Sequence, residues 1–81
     1  MPKLRRLSGS ELVQLFAVFG FEVVAQRGSH IKLRRVLKDG TVQSFTVPNH
    51  SELDTGTCRA ILRQATRYIP EADLRPHFYA E

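Results

Sequence analysis

The sequence predicts an α+β fold whose elements follow the order α-β-β-β-α. Three observations predict it: an apolar stripe of helical period near the start, three strand-like segments separated by short glycine-containing turns, and a second helical stripe near the end. Strands joined by tight turns pair antiparallel. Two amphipathic helices and a half-apolar sheet are expected to pack with both helices on one face, which leaves the other face open to water.

The first helix is predicted to begin at Ser8, after a short basic segment from Met1 to Leu7, and to end at Gly20. Ser8 and Glu11 have the spacing of a capping box, in which each side chain bonds an exposed backbone N–H of the other residue. Gly20 suits the left-handed conformation that commonly ends a helix. Four apolar residues at i, i+3, i+4 and i+7 form a stripe typical of core packing: Leu12, Leu15, Phe16 and Phe19.

Three strands are predicted over residues 21–26, 31–37 and 42–47. Because side chains alternate between the faces of a strand, Phe21, Val23 and Ala25 should share one face of the first strand. Phe45 and Val47 should likewise share one face of the third. In the second strand, Arg34-Arg35-Val36 interrupts the alternation, which predicts a bulge or an early end there.

The turns between the strands are predicted from their residue types. Gly28-Ser29 can form the first turn because Gly28 adopts positive φ without steric cost and Ser29 can hydrogen-bond locally. Asp39-Gly40 is a strong hairpin signal. Pro48 should stop the third strand because proline has no N–H to donate to the ladder.

A second helix is predicted after the polar loop 49–57, capped by Asp54 or Thr55 and running to about Thr66 or Tyr68. Its apolar stripe is Cys58, Ile61, Leu62 and Ala65. A basic stripe at i, i+4 and i+8 is either a solvated face or a contact surface for phosphates or an acidic partner: Arg59, Arg63 and Arg67. A last short helical turn is expected from Glu71 to Leu74, between Pro70 and a breaking Pro76.

Length and composition limit the classes of protein. The 81 residues suffice for one domain, assigned to residues 1–81. The net charge of +4 favours an anionic partner such as nucleic acid, although an acidic protein would serve equally. The single cysteine excludes an intramolecular disulfide framework. No long apolar run is present, so we expect neither a signal peptide nor a membrane partner, and a cytoplasmic location.

The second strand suggests a site for phosphate chemistry. Ile31 and Leu33 should face the core, so His30, Lys32 and Arg34 should share the exposed face. Arginine and lysine bind phosphate, and a histidine side chain can exchange a proton near neutral pH. RNA carries its own nucleophile, the 2′-hydroxyl, so these groups suffice for a metal-independent ribonuclease with His30 as acid or base. The residues predicted to contact RNA around it are Arg27, Gly28, Ser29, Lys32 and Arg34.

Other candidate residues are weaker. His50 follows Val47-Pro48 in a loop and could be a second acid/base or a structural hydrogen-bond partner. No histidine or cysteine pair has the close spacing of metal ligands, so no metal or other cofactor is expected. Cys58 lies on an apolar stripe, where an inert buried thiol is more common than a nucleophile.

The element order is that of a double-stranded-RNA-binding domain, and four motifs carry a closer resemblance. Their succession resembles the HicA-type mRNA interferase toxins of bacterial toxin–antitoxin pairs, from Ser8 to about Leu74. Each motif is weak alone, but their order and spacing together are fairly specific. The motifs are Gly28-Ser29-His30, Val47-Pro48-Asn49-His50, Leu53-Asp54-Thr55-Gly56-Thr57 and Arg59-Ala60-Ile61-Leu62-Arg63-Gln64-Ala65.

The resemblance implies a double-stranded-RNA-binding-like fold and cleavage of mRNA, with His30 at the position of the catalytic histidine. It also implies neutralisation by a HicB-type antitoxin, with a monomeric free toxin and a hetero-oligomer in the complex. Two other classes remain: a non-catalytic RNA-binding module of the same fold, and a protein whose basic surface binds only an acidic partner. RNA cleavage that depends on His30 distinguishes the first class from both.

Overall fold

The computed structural model, which describes residues 3–80, confirms the α+β prediction. Met1, Pro2 and Glu81 belong to the predicted range 1–81 but lie outside the described residues. No helix within residues 3–80 is long and apolar enough to cross a membrane. The elements are β1 (Lys3–Leu4), α1 (Gly9–Val18), β2 (Glu22–Arg27), β3 (His30–Val36), β4 (Val42–Pro48), α2 (Thr55–Ala65), α3 (Glu71–Phe78) and β5 (Tyr79–Ala80).

The main sheet is antiparallel, with β3 between β2 and β4. Ile31 and Leu33 on β3 are buried, and Phe45 and Val47 on β4 lie on the same face. Both α1 and α2 pack on this inner face, because their apolar stripes join these four residues in one core. The opposite, outer face has no layer over it among the described elements. This arrangement is the predicted one, and it is consistent with a double-stranded-RNA-binding-like layout.

Aromatic side chains form the centre of the core. Phe16 of α1 packs edge-to-face against Phe45 of β4, with ring centroids 4.8 Å apart, and against Phe21 at 6.2 Å. Phe78 of α3 lies 6.1 Å from Phe16 and is fully buried. Edge-to-face pairs add about 0.5–1.5 kcal/mol each beyond the burial of their area. The Phe16 ring of α1 therefore packs against both the sheet and α3.

The predicted caps are present at both long helices. Ser8 and Glu11 form the capping box: the Glu11 N–H donates to Ser8 Oγ at 3.0 Å, and the Ser8 N–H donates to Glu11 Oε1 at 2.9 Å. Asp54 caps α2 by accepting the Thr57 N–H at 2.7 Å. This hydrogen bond lowers the pKa of the Asp54 carboxyl, since it favours the ionised form.

Arg35 corrects the expected irregularity in the second strand. The alternation of β3 continues through residue 35, without a bulge, and places this arginine half-buried on the inner face. Its guanidinium donates to the carbonyls of Phe19 and Tyr68, both at 3.0 Å, and to Gln43 Oε1. It also lies 4.7 Å from the ring centroid of Phe21. A charged residue keeps the strand regular because its donors bond the ends of two helical segments.

The irregularity lies instead in β2, where the register shifts between Val23 and Ala25. The expectation that Phe21, Val23 and Ala25 share one face is therefore wrong. The bulge moves Ala25 to a position opposite Lys32, on the outer face, while Val23 lies opposite Leu33. Only Phe21 is buried. A sheet edge accommodates such a bulge because one side of the strand has no ladder to disrupt.

The C-terminal segment also differs from its prediction. Pro76 does not end the last helix: α3 runs from Glu71 to Phe78 with this proline inside it. Burial of Leu74 and Phe78 in the core compensates for the missing N–H. The chain then forms β5, which pairs antiparallel with β1 in a small second sheet that the sequence did not predict.

We expect Arg35→Met to lower the free energy of unfolding by about 2 kcal/mol, because three part-buried acceptors lose their donor. Chemical denaturation monitored by circular dichroism measures the change. The control is Arg34→Met, next along the strand but on the exposed face, which should stay within about ±0.5 kcal/mol of the parent. Equal stability of the two variants would contradict the role of Arg35.

Candidate functional site

The first hairpin brings Arg27 and His30 together at one end of the sheet. These two residues are cross-strand partners, joined by the two-residue turn Gly28-Ser29. Gly28 has φ 56°, and positive φ at the first central residue alone is the pattern of a type II′ turn. Directly opposite residues in a ladder hold their Cβ atoms about 4.5–5.5 Å apart. The imidazole therefore has a guanidinium as its neighbour, and both side chains are exposed.

Lys32 and Arg34 extend this pair along the outer face. Both follow His30 at two-residue steps and are exposed. The cross-strand partners of Lys32 are Ala25 and Thr46, whose small side chains do not cover its ammonium group. Within residues 3–80, the cations at 27, 32 and 34 form no ion pair. Glu22 is the cross-strand partner of Arg34 but forms no ion pair with it, so an anion can approach this row without breaking an ion pair of the described chain.

The loop after β4 anchors the turn of the hairpin through backbone hydrogen bonds. Pro48 pairs with His30 as the last residue of β4, one residue later than predicted. The N–H of Asn49 donates to the Ser29 carbonyl at 2.6 Å, which anchors the turn. The His50 carbonyl accepts the N–H of Gly9, at the start of α1, at 2.8 Å. The hairpin turn, this loop and the start of α1 thus form one hydrogen-bonded unit.

Gly9 makes this unit possible, and sequence reasoning missed it. A methyl group here would lie 2.5 Å from the Pro48 carbonyl oxygen and 2.7 Å from the Asn49 Cα. The loop backbone can approach α1 only because this residue has no side chain. Glycine in a helix costs up to about 1 kcal/mol relative to alanine, so glycine directly after a helix cap was a signal of close approach.

The remaining histidines and the cysteine are not on the strand that carries the row. The His50 side chain is exposed and forms no hydrogen bond within residues 3–80, so its structural contact is made by its backbone. His77 packs edge-to-face on Phe19, with ring centroids 5.4 Å apart. Cys58 is fully buried, as its position on the apolar stripe of α2 predicted. Across the described part of the chain, no three histidine, cysteine, aspartate or glutamate side chains come together as metal ligands do.

The arrangement suits proton transfer beside a bound phosphate. An exposed imidazole is flanked by a guanidinium on the neighbouring strand and is followed by two cations on its own strand. Arginine supplies paired donors for phosphate oxygens, and lysine supplies a point charge. The residues that the sequence predicted to bind RNA are thus brought to one surface around His30, and the exposed His50 follows the loop residue that anchors the turn.

Comparison with known proteins gives one match. The family model described as the HicA toxin of bacterial toxin-antitoxin matches residues 9–66. This range includes every element from α1 to α2, and therefore the hairpin, the loop after β4 and the close approach at Gly9. No curated protein and no solved structure shows significant similarity to the chain.

We expect Gly9→Ala to lower the free energy of unfolding by about 1–3 kcal/mol, because the added methyl group overpacks the contact with the Pro48–Asn49 backbone. This loss would occur although alanine is the better helix former. The control is Gly56→Ala in α2, where the nearest atom would be at an ordinary 3.5 Å. That change should be neutral or stabilise by up to about 1 kcal/mol. Thermal denaturation of both variants checks the prediction, and a neutral Gly9→Ala would disprove the tight contact.

Proposed function

The chain belongs to the HicA toxin family, and from this membership and the geometry of the first hairpin we propose that it is an endoribonuclease that cleaves mRNA. The observation that supports the proposal most directly is the position of His30. It is exposed, opposite Arg27 and in line with Lys32 and Arg34, on the strand β3, which is paired on both sides. The range that matches the family model, residues 9–66, includes this hairpin, which supports the proposal.

In the proposed mechanism, the nucleophile is the 2′-hydroxyl of the RNA. His30 accepts the proton of this hydroxyl as its oxygen attacks the adjacent phosphorus. The bond from phosphorus to the 5′-oxygen breaks, and the departing oxygen takes up a proton from the imidazolium or from solvent. General-base assistance of this kind typically contributes about 10²–10⁴-fold to the rate. The reaction requires no bound cofactor.

The cations around His30 have a separate role. Negative charge accumulates on the non-bridging phosphate oxygens as the phosphorus becomes five-coordinate. Fixed donors aimed at that charge stabilise the transition state more than the ground state. Arg27 is the nearest candidate because it is the cross-strand partner of His30. Lys32 and Arg34 are two and four residues further along the strand, so they are better placed to bind neighbouring phosphates, and Gly28 and Ser29 to bind RNA through the turn.

We also propose that a HicB-type antitoxin neutralises this protein by covering the hairpin surface. Toxin–antitoxin membership implies an antitoxin partner in general. Exposed valines lie on the same sheet as the cation row: Val24 on the edge strand, and the cross-strand pair Val36 and Val42 beyond Arg34 on the outer face. Protein interfaces combine apolar contacts with a polar rim, so a partner with acidic and apolar residues would match this surface. The free toxin is then a monomer and the inhibited form a hetero-oligomer.

We expect His30→Ala to lower RNA cleavage by about 10²-fold or more, because the mutation removes the group that transfers the proton. The free energy of unfolding should change by no more than about 0.5 kcal/mol, since the side chain is exposed. Melting temperature and cleavage rate measured on the same preparation separate a catalytic role from a structural one. His50→Ala is the matched control and should lose less activity. A stable His30→Ala protein that cleaves RNA at the parental rate would exclude His30 from the mechanism.

If the parent protein binds RNA but cleaves none, the non-catalytic RNA-binding module is the correct alternative. In that case the affinity for RNA should be the same for His30→Ala and the parent within a few fold, whereas cleavage should be undetectable in both. Binding measured by fluorescence anisotropy on the same RNA that is used for the cleavage assay distinguishes the two functions.

We expect Lys32→Glu to weaken the complex with the antitoxin by about tenfold or more, which corresponds to about 1.4 kcal/mol. The reason is that the reversed charge lies within the surface that the acidic partner covers. Arg63→Glu, an equal change of charge on α2, should leave the affinity nearly unchanged. Titration calorimetry with the purified antitoxin measures both. If both variants lost the same affinity, the antitoxin would bind a different surface, or its binding would depend only on the net charge of the toxin.

A further inference from the structure

Apart from the single residues Lys3 and Lys38, the cations of the described chain fall into groups, and one group remains without a function. Arg5, Arg6 and Arg75 form surface ion pairs with nearby glutamates. Arg35 is committed to the interior. The proposed active site uses the hairpin cations at 27, 32 and 34. A further row lies on α2 and the turn that follows it: Arg59, Arg63 and Arg67, called the α2 row below.

The α2 row is a continuous exposed surface. Arg59 and Arg63 are four residues apart on α2, about 6 Å along the helix, and Arg67 lies in the turn after the helix ends. All three side chains are exposed, and within residues 3–80 none of their guanidinium groups forms a hydrogen bond or an ion pair. A positive charge in the last turn, such as that of Arg63, stabilises the helix through its interaction with the helix dipole, but this interaction extends over only one turn. It therefore does not account for a row of three.

Two shallow grooves flank the row and share Arg63. One has a volume of about 280 Å³ and is lined by Ala60, Arg63, Gln64 and Arg67. The other, of about 200 Å³, lies between α2 and the C-terminal elements and is lined by Arg59, Leu62, Arg63, Thr66, Glu71 and Tyr79. The guanidinium groups thus border concave surfaces. The one carboxylate among the lining residues, that of Glu71, forms an ion pair with Arg75 at 3.3 Å. A chain of anionic groups can follow such a surface.

The composition of this surface favours a polyanion over a folded protein. Stable protein interfaces need apolar or aromatic anchors at their centre, whereas nucleic-acid interfaces are polar and strongly positive. The large exposed apolar residues of the described chain all lie elsewhere, on the end of α1, on β2 and on the outer face of the sheet. None lies on α2. The outer face of the sheet combines exposed valines with cations, whereas in the described chain no large exposed apolar side chain on α2 accompanies the α2 row.

We propose that the α2 row is a second RNA-binding surface, one that contacts phosphates without reading the sequence and without taking part in the cleavage step. It is distinct from the first because α2 packs on the inner face of the sheet, whereas Lys32 and Arg34 are on the outer face. An RNA that reaches both surfaces extends around the side of the domain. This inference rests on the proposed function in taking RNA as the ligand.

The test compares two triple variants that each lower the net charge by three. In the first, Arg59, Arg63 and Arg67 are replaced by Gln. In the control, the exposed cations Lys3, Arg6 and Lys38, which lie outside both RNA surfaces, are replaced by Gln. The probe is a labelled, unstructured single strand of about 20 nucleotides, long enough for several phosphate contacts and 2′-O-methylated so that it cannot be cleaved through its 2′-hydroxyl. Fluorescence anisotropy gives the Kd over a range of salt concentrations.

For a single strand, each phosphate contact contributes about −0.7 to the slope of log affinity against log salt. Loss of the α2 row should therefore reduce the slope by about 2 and weaken binding at low salt by tenfold or more, while the control changes the slope by less than about 1. An unchanged slope in the α2 variant would overturn the proposal, as would an equal change in both variants. Retained RNA binding with loss of the antitoxin complex would assign the row to a protein instead.

The folded state of each variant is checked by its circular dichroism melting curve. Should the triple variant not fold, Arg63→Gln alone, with an expected slope change of about 0.7, decides the question. Cleavage of an unmodified RNA by the parent protein is measured in parallel. Cleavage without any α2 effect on binding would overturn this inference and leave the proposed function intact. An α2 effect on binding without cleavage would do the reverse.

Discussion

The register of β3 is the constraint on which the rest of the structure depends. This strand is paired on both sides, and its alternation sends Ile31 and Leu33 into the core and His30 and Lys32 to the outer face. A slip of one residue would exchange the two sets. Arg35 opposes such a slip because its guanidinium bonds the ends of α1 and of the turn after α2, and an outward-facing residue could not reach them.

The candidate site and the hydrophobic core thereby lie on opposite faces of one sheet. The inner face is filled by apolar residues of both long helices, so every large side chain there contributes to a small core. The candidate site lies on the outer face and at the hairpin end, where substitution opens no cavity. The exception is the unit formed by Gly9, the loop after β4 and the turn. There the loop both packs against α1 and anchors the turn beside His30, so a substitution at Gly9 would affect the core and the candidate site together. The turn of the candidate site is therefore anchored by backbone hydrogen bonds, and no buried polar side chain among the described residues contributes to this.

Local sequence determined most of the secondary structure and the identity of the candidate site. The capping box, the helical stripes and the turn glycines act within a few residues, so they predicted α1, α2 and both hairpins. Alternation alone placed His30, Lys32 and Arg34 on one face. The order of the short motifs indicated the family that the match over residues 9–66 then showed. The catalytic role of His30 and the RNA contacts remain proposals, since they depend on groups outside the chain.

Only the tertiary structure decided the features that depend on residues distant in sequence. In the sequence, Arg35 interrupts the alternation of apolar and polar residues. In the structure it continues the alternation, because the carbonyls of Phe19 and Tyr68 accept hydrogen bonds from its guanidinium. Pro76 predicts the end of a helix from the sequence alone, but α3 continues to Phe78, whose side chain is buried in the core. The pairing of β1 with β5 joins the two ends of the described chain, and no local pattern encodes a contact between residues so far apart. Local rules describe what a segment prefers, but burial and long-range hydrogen bonds are what override that preference.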